Sequence, residues 1–205
     1  MNHDDQPKSQ YYEVHLVDMG PAGVSYRYER SGDDAFDDRR FYTGERIAGW
    51  PDAVHLRVSG LVQDGVYAGL HWIVISDRVR QALQQCGLDE GIQFLPITVV
   101  DAATGIDQGV HWVINILRQL KALDATHTRW LPGYDPAALL ATEDDVILRA
   151  GSIVKPALRD EIVHEEDIFR LEECPVHLIV SSALRDCLED AEAARGFKFK
   201  PIQAY

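Results

Sequence analysis

No run in this 205-residue chain approaches the roughly 20 consecutive apolar residues that a membrane span needs. The opening MNHDDQPKSQ also lacks the charged-then-apolar layout of a secretory signal. A soluble, cytoplasmic protein without membrane contact is the expectation. Cysteine is scarce. Cys86, Cys174 and Cys187 are odd in number and form no CxxC, which points away from a disulfide framework or a zinc knuckle. Bases are outnumbered, 20 Lys and Arg against 33 Asp and Glu, for a net charge of −13. Binding to nucleic acid by phosphate neutralisation requires clustered bases and is not expected. A basic protein partner is favoured in its encounter rate, although the same charge also serves solubility.

Catalytic signatures are missing as well. The chain has neither GxxxxGK[ST] nor GxGxxG, no GxSxG elbow and no cysteine set in a family signature, so nucleophilic catalysis has no anchor. The eight histidines are scattered. His71-Trp72 and His111-Trp112 repeat a dipeptide 40 residues apart, a separation without metal-ligand logic. Alternation on a strand would send each His and Trp to opposite faces, the His half-exposed and the Trp buried. His164-Glu165-Glu166-Asp167 is consecutive and cannot converge on one ion from a regular element. No catalytic residue, metal ligand or cofactor is therefore assigned. A small hydrolase or metal-dependent enzyme assembled from dispersed His and carboxylates stays open as the alternative.

What the chain does contain is a repeat. Laying Trp72–Ile97 over His177–Ile202, at a constant offset of 105 residues, requires no gap. It places Ser76 on Ser181, Arg80 on Arg185, Leu83 on Leu188, Gly91 on Gly196, Phe94 on Phe199, Pro96 on Pro201 and Ile97 on Ile202. In the first copy Val79, Ala82, Leu83 and Cys86 form one stripe at i, i+3, i+4 and i+7; Leu184, Cys187, Leu188 and Ala191 do so in the second. The cysteines on these stripes are expected as buried, inert thiols. Each helix follows a short apolar run and starts at a serine able to cap its first turn. The repeated unit is strand, capped helix, strand.

Elsewhere, Tyr11–Val17 alternates as a strand, with Val24–Tyr28 as its hairpin partner. Ser31–Arg40 reads as a solvated loop without the ligand pattern of a calcium site. Val54, Leu56 and Val58 mark a further strand. Gly109–Leu123 satisfies both strand and helix periods, and a strand passing into a short helix near Asn115 fits both. Asp124–Ala141 reads as an irregular connection, Asp145–Leu148 and Ser152–Pro156 as strands. Few helices among short strands predict an α+β fold with mixed or antiparallel sheets rather than a doubly wound parallel one. The organisation expected is a lobe over residues 1–124 with the first copy and a lobe over 125–205 with the second, packed as one domain.

Asp167–Ile202, with its IFRL, VSSALRDCLED and GFKFKPI, resembles the C-terminal region of immunity-protein family 11 of bacterial polymorphic-toxin systems. Trp50-Pro51 with the strand after it, ISDRVRQALQQCGLDEGIQFLPI and HWVINILRQLKALD are similar too, so the likeness covers residues 50 to 202. It implies a non-enzymatic protein that binds and neutralises a cognate toxin domain. The recurring positions (Phe169, Arg170, Ser181, Leu184, Leu188, Gly196, Phe199 and Pro201) look like core, cap and turn positions, and none is carried over as a site. The residues expected to touch the toxin come from charge instead. They are Glu161, Glu165, Glu166, Asp167, Glu172 and Glu173, where Arg170 is the single base, and Asp186, Glu189 and Asp190 on the outer side of the second helix.

Overall fold

A computed structural model describes residues 10–16, 27–31, 36–59, 63–68, 72–141 and 151–205. The repeated unit explains most of it. In the first copy, the wholly apolar Trp72–Ile75 makes strand β5 (Trp72–Ser76), buried on both faces. Ser76 then accepts a hydrogen bond from the Val79 amide and starts helix α1 (Asp77–Gln85). Strand β6 (Ile92–Asp101) follows. The second copy is β13 (Cys174–Ser181), α4 (Ser182–Asp190) and β14 (Phe197–Ala204), with Ser181 accepting from the Leu184 amide. Gly91 and Gly196 both adopt positive φ, 81° and 90°, at the turn into the closing strand, where a side chain would be strained.

Each copy leaves a gap between its two strands that a third strand fills antiparallel to both. In the first it is β7 (Asp107–Ile116), the next strand in the chain. In the second it is β1 (Tyr11–Leu16), from the opposite end of the chain. The correspondence continues outward. β4 (Gly65–Ala68) pairs antiparallel with β5 as β12 (Ile168–Leu171) does with β13. β3 (His55–Ser59) pairs parallel with β6 as β11 (Ala157–Leu158) does with β14. With β2 (Arg27–Ser31) at one edge, sheet I has the order β2-β3-β6-β7-β5-β4; with β8 (Gln119–Leu120) at another, sheet II runs β11-β14-β1-β13-β12-β8. The fold is α+β, and five strands of each sheet match in order and sense. The halves 1–124 and 125–205 do not map one to one onto the sheets, because β1 and β8 are strands of sheet II.

The side chains repeat with the backbone. Arg80 lies over Trp112 at 4.7 Å and Phe94 meets that ring edge-on, 6.4 Å between centroids. Around sheet II Arg185 lies over Tyr12 at 4.4 Å and Phe199 meets Tyr12 at 6.4 Å. Trp112 and Tyr12 occupy equivalent rungs of the middle strands. The sequence identities of the repeat are thus one packing motif built twice.

The inner core joins the two lobes. Val79, Ala82 and Leu83 of α1 and Leu184, Cys187 and Leu188 of α4 pack with Ile73, Ile75, Ile114, Val14, Leu178 and Val180. Truncating one of these leucines to Ala costs about 2–5 kcal/mol. The outer face of sheet I is covered by residues 36–54, in which Phe36, Phe41 and Trp50 cluster on Trp72. The outer face of sheet II is covered by residues 120–141 and 151–163, which include β9 (Arg129–Trp130), α2 (Pro136–Ala141), β10 (Ile153–Lys155) and α3 (Asp160–Val163). Among the described residues no helix is long and apolar enough to cross a membrane.

Several expectations are corrected. β2 pairs with β3, so Tyr28 belongs to sheet I and not to a hairpin with β1; Val24 lies outside the described residues, as does Asp145–Leu148. Residues 36–40 are not simply solvated: Phe36 packs against Phe41 and Trp50, and a 3-10 helix at Asp38–Tyr42 begins there. β7 does not pass into a helix; it pairs with β6 as far as Ile116, and the Leu117 amide bonds to the Gly91 carbonyl. Cys86 and Cys187 form a disulfide between α1 and α4 rather than two thiols, while Cys174 is wholly buried outside that pair. His111 is the buried member of its dipeptide, and Trp112 is the half-exposed one, its Nε1 donating to Asp77 at 2.9 Å. His71 lies outside the described residues.

Candidate functional site

The carboxylates singled out by charge fall in three places. At the start of β12, the turn after α3 brings Glu165, Glu166 and Asp167 into a groove of about 330 Å³ with Gln10, Tyr11 and Ser181–Ala183 at the start of α4. At the other end of β12, Glu172 and Glu173 form the turn into β13. A four-residue strand separates these groups by roughly 13 Å. Asp186, Glu189 and Asp190 are exposed on α4, and Glu189 lines a second groove, about 380 Å³, with Glu192, Arg78, Ala194 and Arg195. Glu161 is exposed on α3.

Neighbouring cations divide these carboxylates further. The Arg118 guanidinium donates through Nε to Glu166 at 2.8 Å. Arg159 lies 3.8 Å from Glu173, whose carboxyl is pushed up by burial. Arg185 pairs with Asp186, and with Glu189 at 3.7 Å. Asp167 accepts a hydrogen bond from the Ser181 hydroxyl at 2.6 Å and so supports the cap of α4. Among the described residues Glu165 has only His164, 3.6 Å away. Glu161, Glu172 and Asp190 are exposed and have no ion-pair partner among the described residues. Surface pairs of this kind are worth less than about 1 kcal/mol each, so the paired acids remain available to a better-placed cation.

The histidines were a separate possibility. His15 and His177 converge on one carboxylate, Glu13, at 3.0 and 2.5 Å on the outer face of sheet II. Burial raises the Glu13 carboxyl, but the two imidazole donors outweigh it and hold it at about 2. His127 bonds Asp124 at 2.6 Å and stacks on Tyr205. Among the described residues no group of three His, Cys, Asp or Glu side chains is placed to hold a metal ion.

A family model described as the Immunity protein family (Imm11) matches residues 2–204. The chain belongs to the Imm11 family. The match takes in the first fifty residues, which the sequence likeness had left outside, and it agrees with β1 being part of the duplicated architecture. No curated protein matches the chain. Imm11 membership implies a toxin-neutralising immunity role, exercised as an inhibitor and not by catalysis.

For an Imm11 protein the useful content of the surface is which carboxylates can meet a partner. Asp167, Glu166 and Glu173 are half-buried and partly committed within the fold. Glu161, Glu165, Glu172 and Asp190 face outward without an arginine or lysine partner among the described residues, whereas Asp186 and Glu189 are exposed but paired with Arg185. Charge counting missed Arg118, Arg159 and Arg185. Arg118 and Arg159 lie 48 and 14 residues from their partners, and only tertiary folding brings them together. Arg185 sits beside Asp186, where the pairing was readable in principle.

Proposed function

We propose that this Imm11 protein acts in the cytoplasm, binds a cognate toxin domain by direct contact, and presents its carboxylate-rich surface around β12 and α4 to a basic face of that toxin. The observation that carries the proposal is the set of exposed acids without cation partners among the described residues, Glu161, Glu172 and Asp190 beside Glu165, on a chain of net charge −13. A negative surface accelerates encounter with a positive partner, and buried anchors inside the charged rim supply most of the affinity. Family membership supports the neutralising role, and the acid distribution supports the choice of face. The test is expression of the toxin domain encoded beside this gene, with and without this chain, followed by size-exclusion chromatography of the pair. Restored growth and a co-eluting complex are expected. Growth arrest that persists with the immunity chain in molar excess, and no complex, would reject the proposal.

A further inference from the structure

We infer that the groove beside Asp167 takes the guanidinium of an arginine side chain presented by the partner protein. This rests on the toxin-binding reading, and the protein carries its own template for it. At the first cap, the Ser76 hydroxyl donates to Asp64 Oδ1 at 3.0 Å and the Ser76 amide to the Asp64 carbonyl at 2.9 Å. Two arginines then complete the site. Arg78 donates through Nη2 at 2.7 Å and Nε at 3.2 Å to Oδ1, and Arg195 through Nε at 3.1 Å to Oδ2. Asp64 is only 2% exposed.

At the second cap the first two bonds recur. The Ser181 hydroxyl donates to Asp167 Oδ1 at 2.6 Å and the Ser181 amide to the Asp167 carbonyl at 2.8 Å. The arginines do not recur. Two residues past the serine, Ala183 stands where the first copy has Arg78. The offset of 105 residues sets Glu90 against Arg195. The place of the missing guanidinium is the open groove, lined by Glu165, Glu166, Asp167, Ser181 and Ala183. Arg118 is held by Glu166, which leaves Asp167 and Glu165 facing the opening without an arginine or lysine of their own among the described residues.

A planar guanidinium fits this site better than an ammonium. It donates to two carboxylate oxygens at once, and it is the group both occupants of the twin site use. The helix start alone would not select a cation, since its exposed amides favour anions. The specific evidence is that the equivalent carboxylate at the first cap, Asp64, which holds its serine in the same way, accepts from two guanidinium groups.

The test uses the full-length protein titrated with N-acetyl-arginine amide, and with the uncharged N-acetyl-citrulline amide, followed by amide NMR at low salt. The arginine compound should move the resonances of residues 181–184 and the citrulline compound should not. A183R is built to reach Asp167 as Arg78 reaches Asp64. It should weaken arginine-amide binding about tenfold or more, equivalent to at least about 1.4 kcal/mol, and weaken toxin binding. It should also raise Tm by about 2–4 °C, which separates self-occupation of the groove from damage to the fold. A183Q, polar but shorter and uncharged, should leave arginine-amide binding in place. Equal shifts with citrulline, or unchanged arginine-amide or toxin affinity in A183R, would overturn the inference. Failure of the toxin to bind the wild-type protein at all would instead reject the proposed function, and the NMR titration would still decide the groove.

Discussion

Asp64→Ala and Asp167→Ala form a paired experiment, because the two carboxylates support equivalent serines but only Asp64 carries arginines. Loss of support for a helix cap costs about 1 kcal/mol in either lobe. At Asp64 two guanidinium bonds are lost as well. Charged hydrogen bonds run to about 1.5–3 kcal/mol when buried. Arg78 and Arg195 are 43% and 66% exposed and regain water when released, which reduces each to about 0.5–1 kcal/mol. Asp64→Ala should therefore cost about 2–3 kcal/mol and Asp167→Ala about 1 kcal/mol. For a domain of this size the first corresponds to a Tm loss of roughly 4–12 °C. Urea unfolding of both variants, with the slope checked for constancy, measures the difference. Acid adds a second reading. Burial raises the Asp64 carboxyl, but its Arg78, Arg195 and Ser76 donors more than reverse this and hold it below the ordinary value. Its contribution is present above the unfolded-state pKa and is lost as pH falls through the depressed folded value, so the gap between wild type and D64A should close in acid. Equal losses in the two variants, or a larger one for Asp167→Ala, would refute the assignment of the arginines as the difference between the caps.

Glu13→Gln should flatten the acid limb of the stability curve between the ordinary carboxylate pKa, near 4.5, and about 2, where the wild type protonates this group; circular dichroism across that range checks it. Replacing Glu161, Glu165, Glu172 and Asp190 together with Lys should slow association with a basic toxin about tenfold or more at low salt, with the rates converging at high salt, as read by stopped-flow fluorescence. Toxin association unaffected by this fourfold reversal would remove the patch from the interface. Non-reducing peptide mapping should recover Cys86 joined to Cys187, with Cys174 alkylated only after unfolding.

What could be read in advance was local. Ser76 and Ser181 announce caps because the residues that follow have helical spacing, and the repeat is visible because Arg80/Arg185 and Phe94/Phe199 each clasp an aromatic residue from the middle strand. The partner strand was not legible. Alternation in Tyr11–Leu16 tells which side chains point inward but not which strand lies alongside, and β1 pairs with strands more than 160 residues away. In Gly109–Leu123 the two periods coincide, so only the ladder with β6 decides for strand. The Cys86–Cys187 link depends on how two helices pack, which no spacing expresses. The candidate surface suffered in the same way. Counting acids found Glu165 and Glu172, but could not anticipate that Arg118 and Arg159 cover their neighbours or that Asp167 is half committed to a cap.

The placement of β1 sets an order of events during synthesis. Residues 55–116 contain five adjoining strands of sheet I and α1, so that lobe can assemble as soon as it leaves the ribosome. β1 is made earlier still, yet its neighbours β13 and β14 are the last strands translated. At bacterial elongation rates of about 5–20 residues per second, it waits roughly 10–40 s. Throughout that interval both edges of β1 lack their native strands, and Tyr12, Val14 and Leu16 lack the α4 and β13 side chains that share their core. A nascent chain stalled before Phe197 would hold one finished lobe and an unsatisfied strand at its other end, an opening for chaperone capture or for pairing with another copy.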